Sequence, residues 1–328
     1  MPTKKTPPKR NTITRVNTPK AKKAGSVQAA VRAPRKRRKM ESPSMLAAMD
    51  LPTEKGTPST DPQDYVILFY AVPGFGKTTF FNSFPNPMYA MCEPGTTGAR
   101  NYEFNREGGG ITSWPVMLRM VELLEERSDY NTIVIDTVDE GFRLAQEYVC
   151  AGQGIEHPSD ANDFGKTFER VANTFLSAVK RIRQTGRAVH MTGHAMSREV
   201  DTASGNKVYK VGPTLGGKAG IRLKGYCDFI LYGEFMRGPG NKNMRVIITE
   251  GDEIVEAKNR PIDDVRLPSY IRLPEDESQD YAVFEACFRG EGSEYALNPL
   301  TLQPNVKTSK AGIKRLSEDK VKGVKKGG

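Results

Sequence analysis

Residues 65–79 read Tyr-Val-Ile-Leu-Phe-Tyr-Ala-Val-Pro-Gly-Phe-Gly-Lys-Thr-Thr. The run Tyr65 to Tyr70 is apolar, aromatic and β-branched, as a buried strand requires, and Ala71-Val72-Pro73-Gly74-Phe75-Gly76-Lys77-Thr78 follows it at once. A strand, a tight glycine turn and a helix start in that order make a phosphate cradle. Backbone N–H groups turn inward where glycine tolerates the torsions, Lys77 can reach the β and γ phosphates, and the Thr78 hydroxyl can ligate Mg²⁺. The binding set read here is Pro73, Gly74, Phe75, Gly76, Lys77, Thr78 and Thr79, and the expected ligands are ATP and Mg²⁺. The pattern G-x-x-x-x-G-K-[ST] is met except at its first position, where Ala71 stands for glycine.

Charge along the chain divides it into three. Residues 1 to 40 hold 14 Lys or Arg and no acid, and residues 305 to 328 hold 8 basic and 2 acidic residues. With the whole chain at +10, residues 41 to 304 are left at −10. The expected organisation is therefore a basic, disordered extension over 1–60, an acidic folded domain over 61–295 and a basic, disordered tail over 296–328. Such tails attract polyphosphate without sequence preference, or serve only as solvated extensions; the run Arg35 to Lys39 also suits nuclear import.

No stretch approaches the ~20 apolar residues that span a bilayer, and the N-terminus lacks a secretory signal's apolar core. The expectation is a soluble protein of the cell interior, the host cytoplasm if the source is a phage. Cys92, Cys150, Cys227 and Cys287 form no C-x-x-C pair and read as reduced thiols.

Between the tails, strand-like and helix-like runs alternate, which predicts an α/β fold with a mainly parallel sheet flanked by helices. Strands are expected at Tyr65 to Val72, Met88 to Cys92, Thr132 to Asp136, Ala188 to Gly193, Asp228 to Tyr232, Met244 to Thr249 and Ile254 to Ala257. The longest helix is expected from about Ala161 to Gln184, with Phe164, Phe168, Val171, Phe175, Val179 and Ile182 on one core-facing stripe. A second helix opens at Trp114.

Two carboxylates stand where strands end. Thr132-Ile133-Val134-Ile135-Asp136 is expected beside the first strand, where Asp136 holds the metal's shell opposite Thr78. Glu93 follows another strand and precedes Pro94-Gly95, so a parallel sheet brings it to the same edge, where it could orient an attacking water; an exposed turn acid fits the same letters.

The order AVPGFGKTTFFNSFPNP, MCEPG, TIVIDTVDE, VHMTGHAM, PTLGGKAGIRLKGYCDFILYGE and VEAKNRP resembles the RecA-like P-loop NTPase core, and most closely the phage ATP-binding proteins of the Sak-type single-strand annealing group. The resemblance covers roughly residues 63 to 270. It implies an ATPase that acts on single-stranded DNA in phage recombination or replication, assembled as a filament or ring. It implies Glu93 as catalytic base beside Lys77, and His194 as the sensor of the γ phosphate. It also implies a DNA-contacting loop over about Ser197 to Gly217 with Arg198, Lys207, Tyr209 and Lys210, and an intersubunit element at Lys258 and Arg260. His194 departs from the recombinase glutamine. A hairpin turning at Ala203-Ser204-Gly205-Asn206 explains the loop's letters equally, and solvated cations explain Lys258 and Arg260. A nucleotide-gated adaptor such as a helicase-loading factor is the alternative function. A GTPase is disfavoured because no Asn-Lys-x-Asp motif occurs.

Overall fold

The computed structural model describes residues 50–93, 101–127, 129–202, 205–261 and 266–303. The expected basic extension up to residue 49, with Arg35 to Lys39, the Pro94-Gly95 turn, Ala203-Ser204 and the tail from 304 lie outside the described residues.

Nine strands form the sheet: β1 (Ile67–Ala71), β2 (Pro87–Met91), β3 (Tyr102–Glu103), β4 (Thr132–Asp136), β5 (Ala188–Asp201), β6 (Lys207–Pro213), β7 (Phe229–Arg237), β8 (Asn243–Ile248) and β9 (Tyr270–Arg272). Among the described residues six α-helices accompany them: α1 (Lys77–Asn82), α2 (Trp114–Glu126), α3 (Val138–Ala151), α4 (Lys166–Gln184), α5 (Gly217–Tyr226) and α6 (Asp280–Phe288). The order across the sheet is β3-β2-β4-β5-β1-β7-β8-β9, with β6 off this path, paired to β5. From β3 to β7 every pairing is parallel; β8 and β9 extend that edge with antiparallel pairings.

Alternation along β1 explains why both faces must be covered. Leu68 and Tyr70 face one core with Trp114, Met117, Phe175, Val179 and Leu223 of α2, α4 and α5. Ile67, Phe69 and Ala71 face the other with Phe80, Phe81, Phe284 and Phe288 of α1 and α6. A strand buried on both sides reads as an unbroken apolar run because neither parity of side chain meets water. Each such fully buried side chain contributes about 1.5–3 kcal/mol of hydrophobic stabilisation.

Several sequence expectations are corrected. Asp136 ends a strand that does not lie beside β1, because β5 is inserted between β4 and β1. The long helix begins at Lys166, after a 3₁₀ turn at Pro158–Ala161, and Phe164 stands outside it, 100% exposed with φ +59°. Helical spacing alone placed Phe164 on the core stripe, but Gly165 at φ +87° caps the helix one residue later. Ile254 to Ala257 makes no strand; Val255 and Lys258 each form one isolated bridge. The span Ser197 to Gly217 is largely an antiparallel hairpin, with Arg198 opposite Lys210 and Asp201 opposite Lys207. Ala296 and Leu297, assigned by sequence to the C-terminal tail, pack on the sheet edge: Leu297 is 2% exposed and its N–H donates to Tyr270 O at 2.9 Å.

His190 of β5 is wholly buried, stacked on Phe81 with ring centroids 5.2 Å apart and edge-on to Phe84, and neither ring nitrogen has a hydrogen-bond partner among the described residues. Burial pushes its pKa down to about 3.

Two expectations follow. Phe69→Ala, in the aromatic cluster, should cost about 3–5 kcal/mol in urea denaturation, whereas Phe164→Ala should change stability by less than about 0.5 kcal/mol. For His190 the folded chain binds fewer protons than the unfolded chain between pH ~6.5 and the folded value, so this residue makes stability fall as pH drops through that window. His190→Leu should remove that contribution, flattening the acid side of the stability profile by up to about 1.4 kcal/mol per pH unit relative to the unaltered chain.

Candidate functional site

The loop after β1 takes its shape from two glycines and a phenylalanine. Gly74 and Gly76 have φ of +80° and +99°, a region that other L-residues seldom adopt. Phe75 between them turns inward, 1% exposed, against Phe69 and Phe235 at centroid distances of 5.6 and 5.3 Å. A side chain at Gly233 would overlap the Phe75 ring, so the absence of a Cβ on β7 makes room for it. Phe75 stands in the binding set read from the sequence; its side chain anchors the loop in the core, which leaves its backbone for a ligand.

At the start of α1, the Lys77 ammonium donates to Ala71 O at 3.2 Å, back across the loop. Burial lowers its pKa, and the carboxylates of Asp136, Asp139 and Glu93 oppose that shift, so Lys77 is a partly buried cation facing three anions. The next residue completes the bridge to the sheet: the Thr78 hydroxyl donates to Asp136 Oδ2 at 2.8 Å. The other carboxylate oxygen accepts from the Thr192 hydroxyl of β5 at 2.6 Å. Asp136 is 5% exposed, so both its oxygens need such donors. Tyr89 of β2 fixes the same turn, its hydroxyl donating to Thr78 O at 2.7 Å. Thr79, also in the expected binding set, follows in the first turn of α1.

Glu93 lies just beyond β2, whose last residue, Met91, is in register with Asp136. Its Oε1 accepts from the Thr137 hydroxyl at 2.9 Å. The Asp136–Thr137 peptide is cis. Ala71, the last residue of β1, is in register with His194, which puts that histidine on β5 beside the loop. His194 Nδ1 is 2.8 Å from Asp139 Oδ2 and 3.7 Å from Glu93 Oε1, and the Thr214 hydroxyl lies 3.3 Å from the same Asp139 oxygen. Ligand atoms of Glu93, Asp139 and His194 all fall within 4.8 Å of one another. The sheet edge thus gathers one lysine, three carboxylates, one imidazole and several hydroxyls. Such a set can hold a polyphosphate and a divalent cation and can orient a water.

The outlying candidates sit differently. Lys258 Nζ donates to Cys227 O at 2.6 Å and to Gly225 O at 3.4 Å, closing the end of α5, and Arg260 pairs with Asp228 at 2.5 Å. Both intersubunit candidates are held within the chain, because the segment carrying them crosses β7 at the Ile230–Lys258 bridge. In the hairpin, Arg198 pairs with Glu256 at 2.5 Å, Lys207 with Glu199 at 2.7 Å, and Lys210 donates to Asp252 O at 2.7 Å. Tyr209 is 70% exposed.

Sequence reasoning missed Thr192, Thr137, Asp139 as a partner of His194, and Thr214. Thr192 was within reach, since it stands two residues before His194 in VHMTGHAM.

A family model described as AAA domain matches residues 63–261, more than half of the chain. The chain belongs to the AAA domain family. Membership makes it a P-loop nucleotide-binding domain of the ATPase type, which agrees with the loop and carboxylates just described. It is also 24% identical over 135 residues to the SPbeta prophage-derived uncharacterized protein YorG of Bacillus subtilis (strain 168), a match covering 40% of this chain and 41% of that protein. Among the described residues no helix is long and apolar enough to cross a membrane.

Removing one donor to Asp136 should be costly. Thr192→Val leaves a buried carboxylate oxygen unpaired, and denaturant titration should show a loss of about 1–3 kcal/mol; Asp136→Asn in the same background should return part of it.

Proposed function

We propose that this AAA-domain chain is a magnesium-dependent ATPase that acts on single-stranded DNA in phage recombination or replication, by annealing or strand exchange. The observation that carries the catalytic part is the meeting, across the inserted strand β5, of Thr78 with Asp136 at 2.8 Å, beside a positive-φ glycine loop that holds Lys77. Lys77 would neutralise charge on the transferred phosphoryl group, Thr78 and Asp136 would hold Mg²⁺, and Glu93 would position the water. Held by those two residues, a divalent cation would supply positive charge against the phosphates. His194, hydrogen-bonded to Asp139 beside Glu93, would report the state of the γ phosphate.

The DNA part rests on the hairpin formed where β5 continues past His194 and pairs with β6, with the exposed Tyr209 as a stacking face, together with the basic segments at both ends of the chain. The resemblance of its motifs to the Sak-type annealing group, and its similarity to the prophage-derived relative, support a phage setting. A homo-oligomeric filament or ring belongs to the same reading; Lys258 and Arg260 are engaged within the chain, and the Arg260 side chain is 52% exposed. One observation favours the adaptor reading, in which the partner is a replication or recombination protein such as a helicase: the hairpin's three cations are already engaged within the chain.

ATPase rate, measured with and without single-stranded DNA over a range of protein concentrations, separates the readings. The DNA-directed enzyme should be stimulated by the strand and should gain specific activity with concentration; Lys77→Ala should abolish turnover while leaving the circular dichroism spectrum unchanged. A rate indifferent to DNA, with no binding of the strand, would favour the adaptor, and retained turnover in Lys77→Ala would remove the catalytic assignment.

A further inference from the structure

The hairpin β7–β8 presses two residues against the phosphate loop. Phe235 packs on the Phe75 ring, and Arg245, in register with it on the next strand, lies against Gly76. A Cβ at Gly76 would stand 3.3 Å from Arg245 Nη1 and 3.7 Å from Glu277 Oε1. Gly76 therefore admits a guanidinium as well as a positive φ.

Arg245 is built into its place. Its side chain is 12% exposed, and Nη2 donates to both oxygens of Asp280 at 2.7 and 3.0 Å and to Pro274 O at 3.3 Å. Nη1 lies 3.5 Å from Glu277 Oε1, is buried, and has no hydrogen-bond partner among the described residues. Asp280, the first residue of α6, is itself fully buried. Burial pushes the Asp280 carboxyl up to about 6 while Arg245 pulls it the other way, so anchor and cation depend on each other. A buried ion pair costs desolvation and adds little stability by itself, which makes its location against the loop informative.

We propose that Arg245 is a positioning residue of the nucleotide site: clamped by Asp280, its guanidinium walls the loop at Gly76 and sets a second fixed positive charge behind the phosphates, beyond that of Lys77. This rests on the ATPase reading above. The geometry has three parts that must act together. Asp280 aims the guanidinium, Gly76 admits it, and Phe235 holds the loop from the opposite strand position. The loop is then fixed before a phosphate arrives, and the ligand's ordering cost falls.

The test uses the full chain with MgATP, reading ATP affinity by calorimetry with a non-hydrolysable analogue, KM and kcat by steady-state hydrolysis, and the thermal midpoint. Arg245→Gln should weaken ATP binding and raise KM about tenfold while kcat stays within about twofold. Arg245→Lys should recover part of the affinity, and Asp280→Asn should lose part of it with the cation still present. If Arg245→Gln alone fails to fold because Asp280 is stranded, the double variant Arg245→Gln/Asp280→Asn removes the stranded charge and should show the same rise in KM. A fall in thermal midpoint with KM and affinity unchanged, in either the single or the double variant, overturns the proposal and leaves the nucleotide reading standing. Failure of the unaltered chain to bind the ATP analogue removes both.

Discussion

One buried carboxylate joins the parts of this site. Asp136 ends β4, and its two oxygens are met from opposite sides by Thr78 of α1 and Thr192 of β5. An anion that is 5% exposed is tolerable only when its lone pairs are filled, so these hydroxyls are a condition of burying it there. They also measure the sheet. A strand stands between β4 and β1, and the threonine on that strand supplies half of the coordination while the helix after β1 reaches across to supply the other half. Parallel order brings all these chain ends to one edge, and the donors then bind them together.

The loop opposite Asp136 is held by the core. Phe75 is buried against Phe69 and Phe235, Lys77 bonds back to Ala71, and Tyr89 ties down Thr78 O. Backbone groups that would turn toward a phosphate are thereby fixed from behind, by aromatic packing on one side of the sheet and by the Arg245–Asp280 pair beside Gly76. A site arranged in advance spends little of a ligand's binding energy on ordering itself. The antiparallel extension β8–β9, which a purely parallel α/β sheet would lack, has a local purpose here: it delivers Arg245 and carries the Ile271–Ala296 bridge.

Away from that edge the charges are largely spoken for. Glu256 takes both Arg198 and Lys224, Asp228 takes Arg183 and Arg260, and Lys258 caps the carbonyls at the end of α5. Partly buried pairs of this kind add little stability by themselves, but they decide which cations remain for a partner. The excess positive charge lies before residue 41 and after 304, while the segment between carries −10. Attraction to an anionic strand would therefore come chiefly from the chain's two ends, with the hairpin contributing shape and one exposed aromatic ring.

What the residues alone determined is local and periodic. The apolar run before Gly74, the glycines that permit positive φ, the carboxylates at the ends of Thr132 to Asp136 and after Met91, and the α/β alternation follow from torsional freedom and side-chain parity, which act within a few positions of chain. Glu93 was legible for the same reason, as a carboxylate at a strand's end. Strand order was not: β5 entering between β4 and β1, the pairing of His194 with Asp139, Thr192 on Asp136 and Arg245 against Gly76 each join residues more than 50 positions apart. Helical spacing misplaced Phe164, because a glycine cap interrupts the stripe that periodicity extends. The chain's letters named the groups that do chemistry, and only folding chose their partners, since a hydrogen bond over three ångströms depends on which strands lie together and no local preference encodes that.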